Sequence, residues 1–295
     1  MLWKDLVDSS NAVLSSISIG YFSPGWPLAV CHNGIVTYVA TIAPTLKAMG
    51  HQVSILAYQV IDGTHDESVY DMQQARTSRS MPGRAVDRLW FRIAPRSASS
   101  HMVRRSLSMM VRRAVAERGI QIIEMEESFG WARWVRQATS IPVCVRLHGP
   151  WFLNGTAGGA PDDEVFRKRV REEGRAIRAA DAVTAPSRNV LEQVRDFYGL
   201  ALPEAEVIPP PTWPVPAAER WRLEDCDPKQ VLFIGKFDRH KGGDLIIEAF
   251  GRVLEVIPEA RLRFMGPDNG CIANDGRKWN LENFIRDRIP GALET

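Results

Sequence analysis

Short runs of apolar and β-branched residues alternate along this chain with stretches whose apolar positions recur every three or four residues. Residues 12–19 read as a strand, and a Gly/Pro-rich loop follows over 20–33. Ile35, Val39, Ile42, Leu46 and Met49 then recur at helical spacing, which predicts a helix over 34–49 with Pro44 kinking it from inside. Gly50 and His51 close that helix, and 52–58 is the next strand. The same reading gives strands over 86–93, 120–124, 142–147 and 182–185. It gives helices over 102–116, 162–179 and 187–197, the last opened by Ser187 as N-cap behind Pro186. Strands and helices in alternation argue for a parallel sheet covered on both faces.

The pattern then breaks. Pro209, Pro210, Pro211, Pro214 and Pro216 crowd one short segment, which can be neither helix nor central strand and reads as a stiff connection. After Pro228 the rhythm restarts, with strands over 230–234 and 261–265, a helix over 244–256 and a weaker helix over 279–288. No fixed short repeat runs through the chain. The expected architecture is α/β: two Rossmann-like, doubly wound parallel-sheet domains in series. The first covers 1–208, a proline-rich linker 209–228 and the second 229–295. A βαβ unit takes about 30 residues or more, so the stretch after Pro228 has room for roughly two strands and two helices. The second domain is therefore expected to be incomplete.

Composition narrows the classes. The chain has 295 residues, 45% hydrophobic and 24% charged, enough apolar material for a sizeable core. Its 37 basic and 35 acidic side chains leave a net charge of +2, which argues against a nucleic-acid partner and makes any basic surface local. Cys31, Cys144, Cys226 and Cys271 are far apart and form no CxxC pair. Zinc and disulfide frameworks are thus not expected, and a reducing cytoplasm is the default setting. The N-terminus mixes Lys4 with Asp5 and Asp8 and lacks a signal pattern. No run approaches the roughly 18 apolar residues of a membrane span.

Ligands of open α/β sheets bind beyond the carboxyl ends of the strands, and three segments fall there. Cys31-His32-Asn33-Gly34 joins the first strand to the first helix, where a glycine and free helix amides can receive a phosphate; a structural glycine at a loop–helix junction is the plainer reading. Arg146-Leu147-His148-Gly149-Pro150 follows the fifth strand. His148 there can position a hydroxyl, or simply bond to backbone. Gly235-Lys236-Phe237-Asp238-Arg239-His240-Lys241-Gly242-Gly243 joins strand to helix in the second unit. Lys236 and Lys241 can converge on one diphosphate, although a solvated basic turn would look the same. Glu124, Glu126 and Glu127 are read as a solvated strand end rather than a metal site. On the 101–115 helix, His101, Arg104, Arg105 and Arg112 share one arc and Val103, Leu107, Met110, Val111 and Ala114 another. The apolar arc is expected to pack on the sheet; docking on anionic lipid is the alternative.

In order and spacing these segments resemble glycosyltransferase family 4, the group 1 glycosyltransferases. The resemblance lies in Asn33-Gly34 with Tyr38, in 46–57, in 146–150, in 180–187, in 231–242 and in 260–266. It implies a GT-B fold and retaining transfer from a nucleotide sugar to a glycan or lipid-linked acceptor, with neither metal nor other cofactor. It places Asn33, Gly34, Gly235, Lys236 and Lys241 at the donor and His148 near the transferred sugar as the catalytic residue. Asn33 stands where the family has glycine, and Lys236 where it has arginine, which keeps the charge and loses the bidentate fork. The family's paired glutamates are not found after Lys241, so weak or absent turnover is expected of these 295 residues. A sugar- or nucleotide-binding subunit without turnover, or another GT-B enzyme such as a sugar-nucleotide epimerase, are the alternatives. The setting expected is cytoplasmic, with the 101–115 helix as a peripheral membrane contact.

Overall fold

The computed structural model of the protein describes residues 16–61, 66–77, 95–273 and 276–292. Seven strands form one sheet: β1 (Ser18–Ser23), β2 (Gln52–Ala57), β3 (Val69–Asp71), β4 (Ile122–Glu126), β5 (Val143–Arg146), β6 (Ala182–Ala185) and β7 (Glu206–Val207). Their order is β3-β2-β1-β4-β5-β6-β7, and every adjacent pair is parallel. The chain works outward from β1 to β3, then returns to lay β4 on the other side of β1. That reversal opens a crevice beyond the carboxyl ends of β1 and β4. The connecting helices are α1 (Gly34–Ala48), α2 (Met72–Thr77), α3 (Pro95–Arg118), α4 (Ala132–Ala138), α5 (Trp151–Ala157), α6 (Glu164–Ala179) and α7 (Arg188–Tyr198).

The first strand begins at Ser18 and runs through Gly20, Tyr21 and Phe22, which the sequence reading gave to the loop. Burial decides it: Tyr21 and Phe22 are core residues, and Ile19 and Tyr21 pack with Val53, Ile55, Tyr38, Val39 and Ala43. β4 lies two residues later than expected, because the Ser18 N–H donates to Gln121 Oε1 and sets Ile19 opposite Ile122. α1 buries Val36, Tyr38, Val39 and Ala43, while Met49 is exposed, so its inward stripe is rotated from the one read. Pro44 sits on the exposed side of a helix that continues without a non-helical residue. On α7 the Ser187 Oγ accepts from the Val190 N–H at 3.3 Å, the expected cap. On α3, Leu107, Met110, Val111 and Ala114 are buried and Arg104 and Arg112 bond to Gln137 and the Ala138 carbonyl. The strand expected over 86–93 lies outside the described residues, as does the start of 12–19.

The chain divides into two compact units. One takes in the described residues up to Pro150 with Arg169–Trp213; the other takes in Trp151–Lys168 and the described residues from Pro214. In the second, β8 (Gln230–Ile234) and β9 (Arg261–Met265) form a parallel pair bridged by α8 (Gly243–Val256). β10 (Cys271–Ile272) pairs antiparallel with β11 (Lys278–Trp279), and α9 (Leu281–Arg288) follows. Trp279 is thus a strand residue, not the helix start expected. Phe237, Ile247, Cys271, Ala273 and Phe284 make this unit's core. Leu232, Ile234 and Met265 are exposed, Ile234 by 75%. The second sheet is therefore only partly formed. Among the described residues no helix is long and apolar enough to cross a membrane.

Candidate functional site

α1 starts where the loop after β1 ends. Asn33 is extended, and its Oδ1 accepts from the Ile35 N–H at 2.8 Å, so the side chain caps the helix. Both Asn33 and Gly34 are exposed, and a Cβ on Gly34 would meet nothing within 4 Å. One turn on, Tyr38 is buried among charged groups. Its hydroxyl donates to Glu124 Oε1 at 2.7 Å, the Arg146 guanidinium lies 4.4 Å over its ring, and the His148 ring meets it edge-on at 5.3 Å. Arg146 is only 1% exposed. It donates to the Ile208 carbonyl at 2.9 Å and to Thr184 Oγ1 at 3.4 Å, and its Nε has no hydrogen-bond partner.

These contacts set protonation. Burial, reinforced by the Arg146 charge, holds the His148 imidazole down at about 4, so it is neutral at pH 7. Burial raises the Glu124 carboxyl against the opposing pull of Tyr38 and Arg146, and burial with Glu124 raises the Tyr38 phenol.

The glutamates that follow are not a solvated strand end. Glu126 and Glu127 are 5% and 1% exposed, because a parallel sheet is covered on both faces and its strand ends are roofed by the loops above. Burial, then Glu127, pushes Glu126 up to about 8; burial and Glu173 push Glu127 to about 7 against the amides of His148 and Gly149. Among the described residues no group of three or more His, Cys, Asp or Glu side chains is arranged to hold a metal ion. Just beyond, Phe129 takes a left-handed conformation (φ 59°) and its N–H donates to Glu173 Oε1 at 3.3 Å. The Arg169 guanidinium covers its ring at 4.0 Å, and Trp131 stacks on it at 5.4 Å. Gly130 also has positive φ, and the Glu172 carbonyl occupies the place where its Cβ would go, so no other residue fits.

In the second unit, Gly235, Lys236 and Lys241 gather in one turn. The Gly235 N–H donates to the Met265 carbonyl, and Asp238 Oδ1 accepts the Lys241 N–H at 2.7 Å. A Cβ on Gly235 would lie 3.6 Å from the Lys241 Cβ, and one on Gly266 would strike the Gly235 carbonyl. The turn is therefore closely wound, with Lys236 and Lys241 exposed on it at the N-terminus of α8.

Of the residues singled out in the sequence, Asn33 and Gly34 open the helix whose Tyr38 meets His148, while the two lysines share one turn of the other unit. Tyr38, Glu124, Arg146, Glu127 and Glu173 were missed as site residues. The signal was present for three of them, since charge placed in or at the end of a parallel-sheet strand must be buried and paired.

The glycosyl transferase 4-like domain model matches residues 33–211, more than half of the chain, including the start of α1 and the ends of β4 and β5. The chain belongs to the glycosyl transferase 4-like family. Among curated relatives, the mannosylfructose-phosphate synthase of Agrobacterium fabrum is 29% identical over 133 residues, covering 42% of this chain and 28% of that protein. The D-inositol 3-phosphate glycosyltransferase of Xylanimonas cellulosilytica is 28% identical over 156 residues, 48% of this chain and 36% of that protein. This glycosyl transferase 4-like chain thus aligns with about a third of those relatives' length. In fold it is similar to a sucrose-phosphate synthase from Thermosynechococcus elongatus, with a TM-score of 0.58, 18% identity, and coverage of 92% of this chain and 66% of that one. It is also similar to a UDP-forming trehalose-phosphate synthase from Burkholderia xenovorans in complex with glucose-6-phosphate, with a TM-score of 0.52, 14% identity, and coverage of 86% and 67%. The fold class is the α/β GT-B type read from the sequence.

Proposed function

We propose that this protein takes part in moving a sugar from a nucleotide-sugar donor to a hydroxyl acceptor, with retention at the transferred carbon and without a catalytic metal. The observation that carries this is the family match across 33–211, which takes in both the Asn33-Gly34 helix start and His148 at the end of β5. In the reaction the acceptor oxygen bonds to the anomeric carbon on the face from which the diphosphate departs, and the acceptor's hydroxyl proton passes to the departing phosphate oxygen as the carbon–diphosphate bond breaks. Lys236 and Lys241 neutralise the charge gathering on the departing diphosphate, a task other enzymes give to a metal ion. Gly235, in the same turn as the two lysines, lets backbone come close to that diphosphate. His148, neutral at working pH, offers the transferred sugar a hydrogen-bonding ring rather than a cation.

The acceptor is a glycan, a lipid-linked sugar or a small phosphorylated polyol. The last is supported by the relatives' names, all of which specify phosphorylated sugars or inositol. Calorimetric titration with UDP, GDP and ADP tests the donor side. Lys236→Ala and Lys241→Ala are each expected to weaken nucleoside-diphosphate binding about tenfold, equivalent to about 1.4 kcal/mol. Unchanged affinity in both variants removes this turn from the donor site.

A further inference from the structure

We propose that Glu127 is a positioning residue of this site: its carboxylate, buried under the turn that follows β5, fixes the peptide of His148 and through it the stance of the imidazole against Tyr38. The inference rests on the reading that His148 meets the transferred sugar. Both Glu127 oxygens lie within hydrogen-bond reach of the His148 N–H, at 3.0 and 3.2 Å, and the carboxylate also accepts from the Gly149 amide. An amide held against the oxygens of an immobile carboxyl group, which offers an acceptor whether ionised or protonated, has little freedom to swing. The ring that follows from that peptide lands 5.3 Å from Tyr38, whose own hydroxyl is tied to Glu124.

The groups that face Glu127 are Glu126 beside it, Glu173 of α6, Tyr198 of α7 and His148 itself. Glu173 is in turn held by Arg169 Nε at 2.9 Å and accepts from the Phe129 N–H. The two buried carboxylates divide the work: Glu127 fixes the turn after β5, and Glu173 the turn after β4. Packing alone does not call for a glutamate here, because burying a carboxyl group costs free energy that an apolar side chain of equal volume would not incur. What the carboxylate adds is acceptor oxygens aimed at the His148 peptide.

The test uses the whole chain with ¹³C-labelled histidine, the His148 signal being assigned by its loss in His148→Gln. In the wild type the ring is expected to titrate near 4 rather than the ordinary 6.5, with a cross-relaxation contact to Tyr38. Glu127→Gln, which keeps one acceptor oxygen in place, is expected to preserve both signatures. Glu127→Ala is expected to raise the titration point by a unit or more and abolish the Tyr38 contact. Where the alanine variant does not fold by circular dichroism, Glu127→Asp carries the same expectation, its carboxylate being one methylene short. An unmoved His148 in a folded alanine or aspartate variant overturns the proposal, as does a glutamine variant displaced as far as alanine. Binding of UDP, GDP and ADP measured on the same samples is a separate readout. Absence of UDP, GDP and ADP binding alike in the wild type would end the transferase reading, while the ring titration alone decides whether Glu127 positions His148.

Discussion

At the scale of single residues, the buried carboxyls of Glu124, Glu126 and Glu127 and the His148 imidazole in the first unit are held away from their ordinary protonation, and the signs differ. Glu127 and Glu126, raised to about 7 and about 8, keep their protons in the folded chain over a pH range where the unfolded chain has lost them. The folded state then binds more protons, so stability falls as pH rises through that range, by about 1.4 kcal/mol per pH unit for each group. His148, lowered to about 4, works the other way and adds stability as pH rises between about 4 and 6.5. Above pH 6.5 only the carboxyl effect remains. Urea unfolding is expected to show stability dropping between pH 6.5 and 8, with the drop shallower in Glu126→Gln; parallel profiles would refute the assignment. Arg146 acts through geometry instead. Arg146→Met leaves the Ile208 carbonyl and Glu124 without their buried cation and should cost about 3 kcal/mol in the same assay. The placement of the lysines in one turn and of His148 at a strand end was legible because glycine turns and strand ends mark them. Glu124, Glu126 and Arg146 were not. Judged one at a time their charges suggest solvent, whereas the parallel sheet that carries them has no wet face.

At the scale of elements, segments with a clear helical period or an unbroken apolar run between turn residues were legible, and those with neither were not. α6, α7, β6, β8 and β9 fall within two residues of where hydrophobic spacing put them. β3, α2, α4, α5 and the two-residue strands β10 and β11 are too brief to show a period, and neighbouring chain rather than local pattern holds them in place. α3 shows what spacing can and cannot say. Its apolar arc packs inward as expected, and Arg104 and Arg112 are drawn into bonds with the region around α4. A lipid surface would therefore be met by charge alone, through His101, Arg105 and their neighbours, at about 1 kcal/mol for each basic residue at an anionic surface. Co-sedimentation with phosphatidylserine vesicles is expected to show weak binding at low salt that vanishes at high salt. Binding that survives high salt would mean an apolar insertion that α3 does not offer.

At the scale of the whole molecule, the second unit leaves apolar strand surface open. Leu232, Ile234 and Met265 on β8 and β9 face solvent, and exposed strand surface of this kind recruits other chains. Light scattering on the purified 295-residue chain is expected to show oligomers, and Ile234→Lys to raise the monomer fraction with an unchanged circular dichroism spectrum. A monomeric wild type would contradict this. The same preparation is expected to turn over nucleotide sugars slowly, because neutralising a diphosphate does not by itself orient a sugar for attack; brisk acceptor-dependent turnover by the monomer would reverse that view. The way the chain is apportioned has a further effect. Residues Trp151–Lys168 group with the second unit although they are encoded in the middle of the first, and Gly159 lies against Arg239. A gene fusion that exchanges everything after the proline-rich segment would bring in a new second unit but leave the old 151–168 piece behind to meet it. Recombination at that obvious seam should therefore yield fewer working hybrids than exchanges that also replace 151–168.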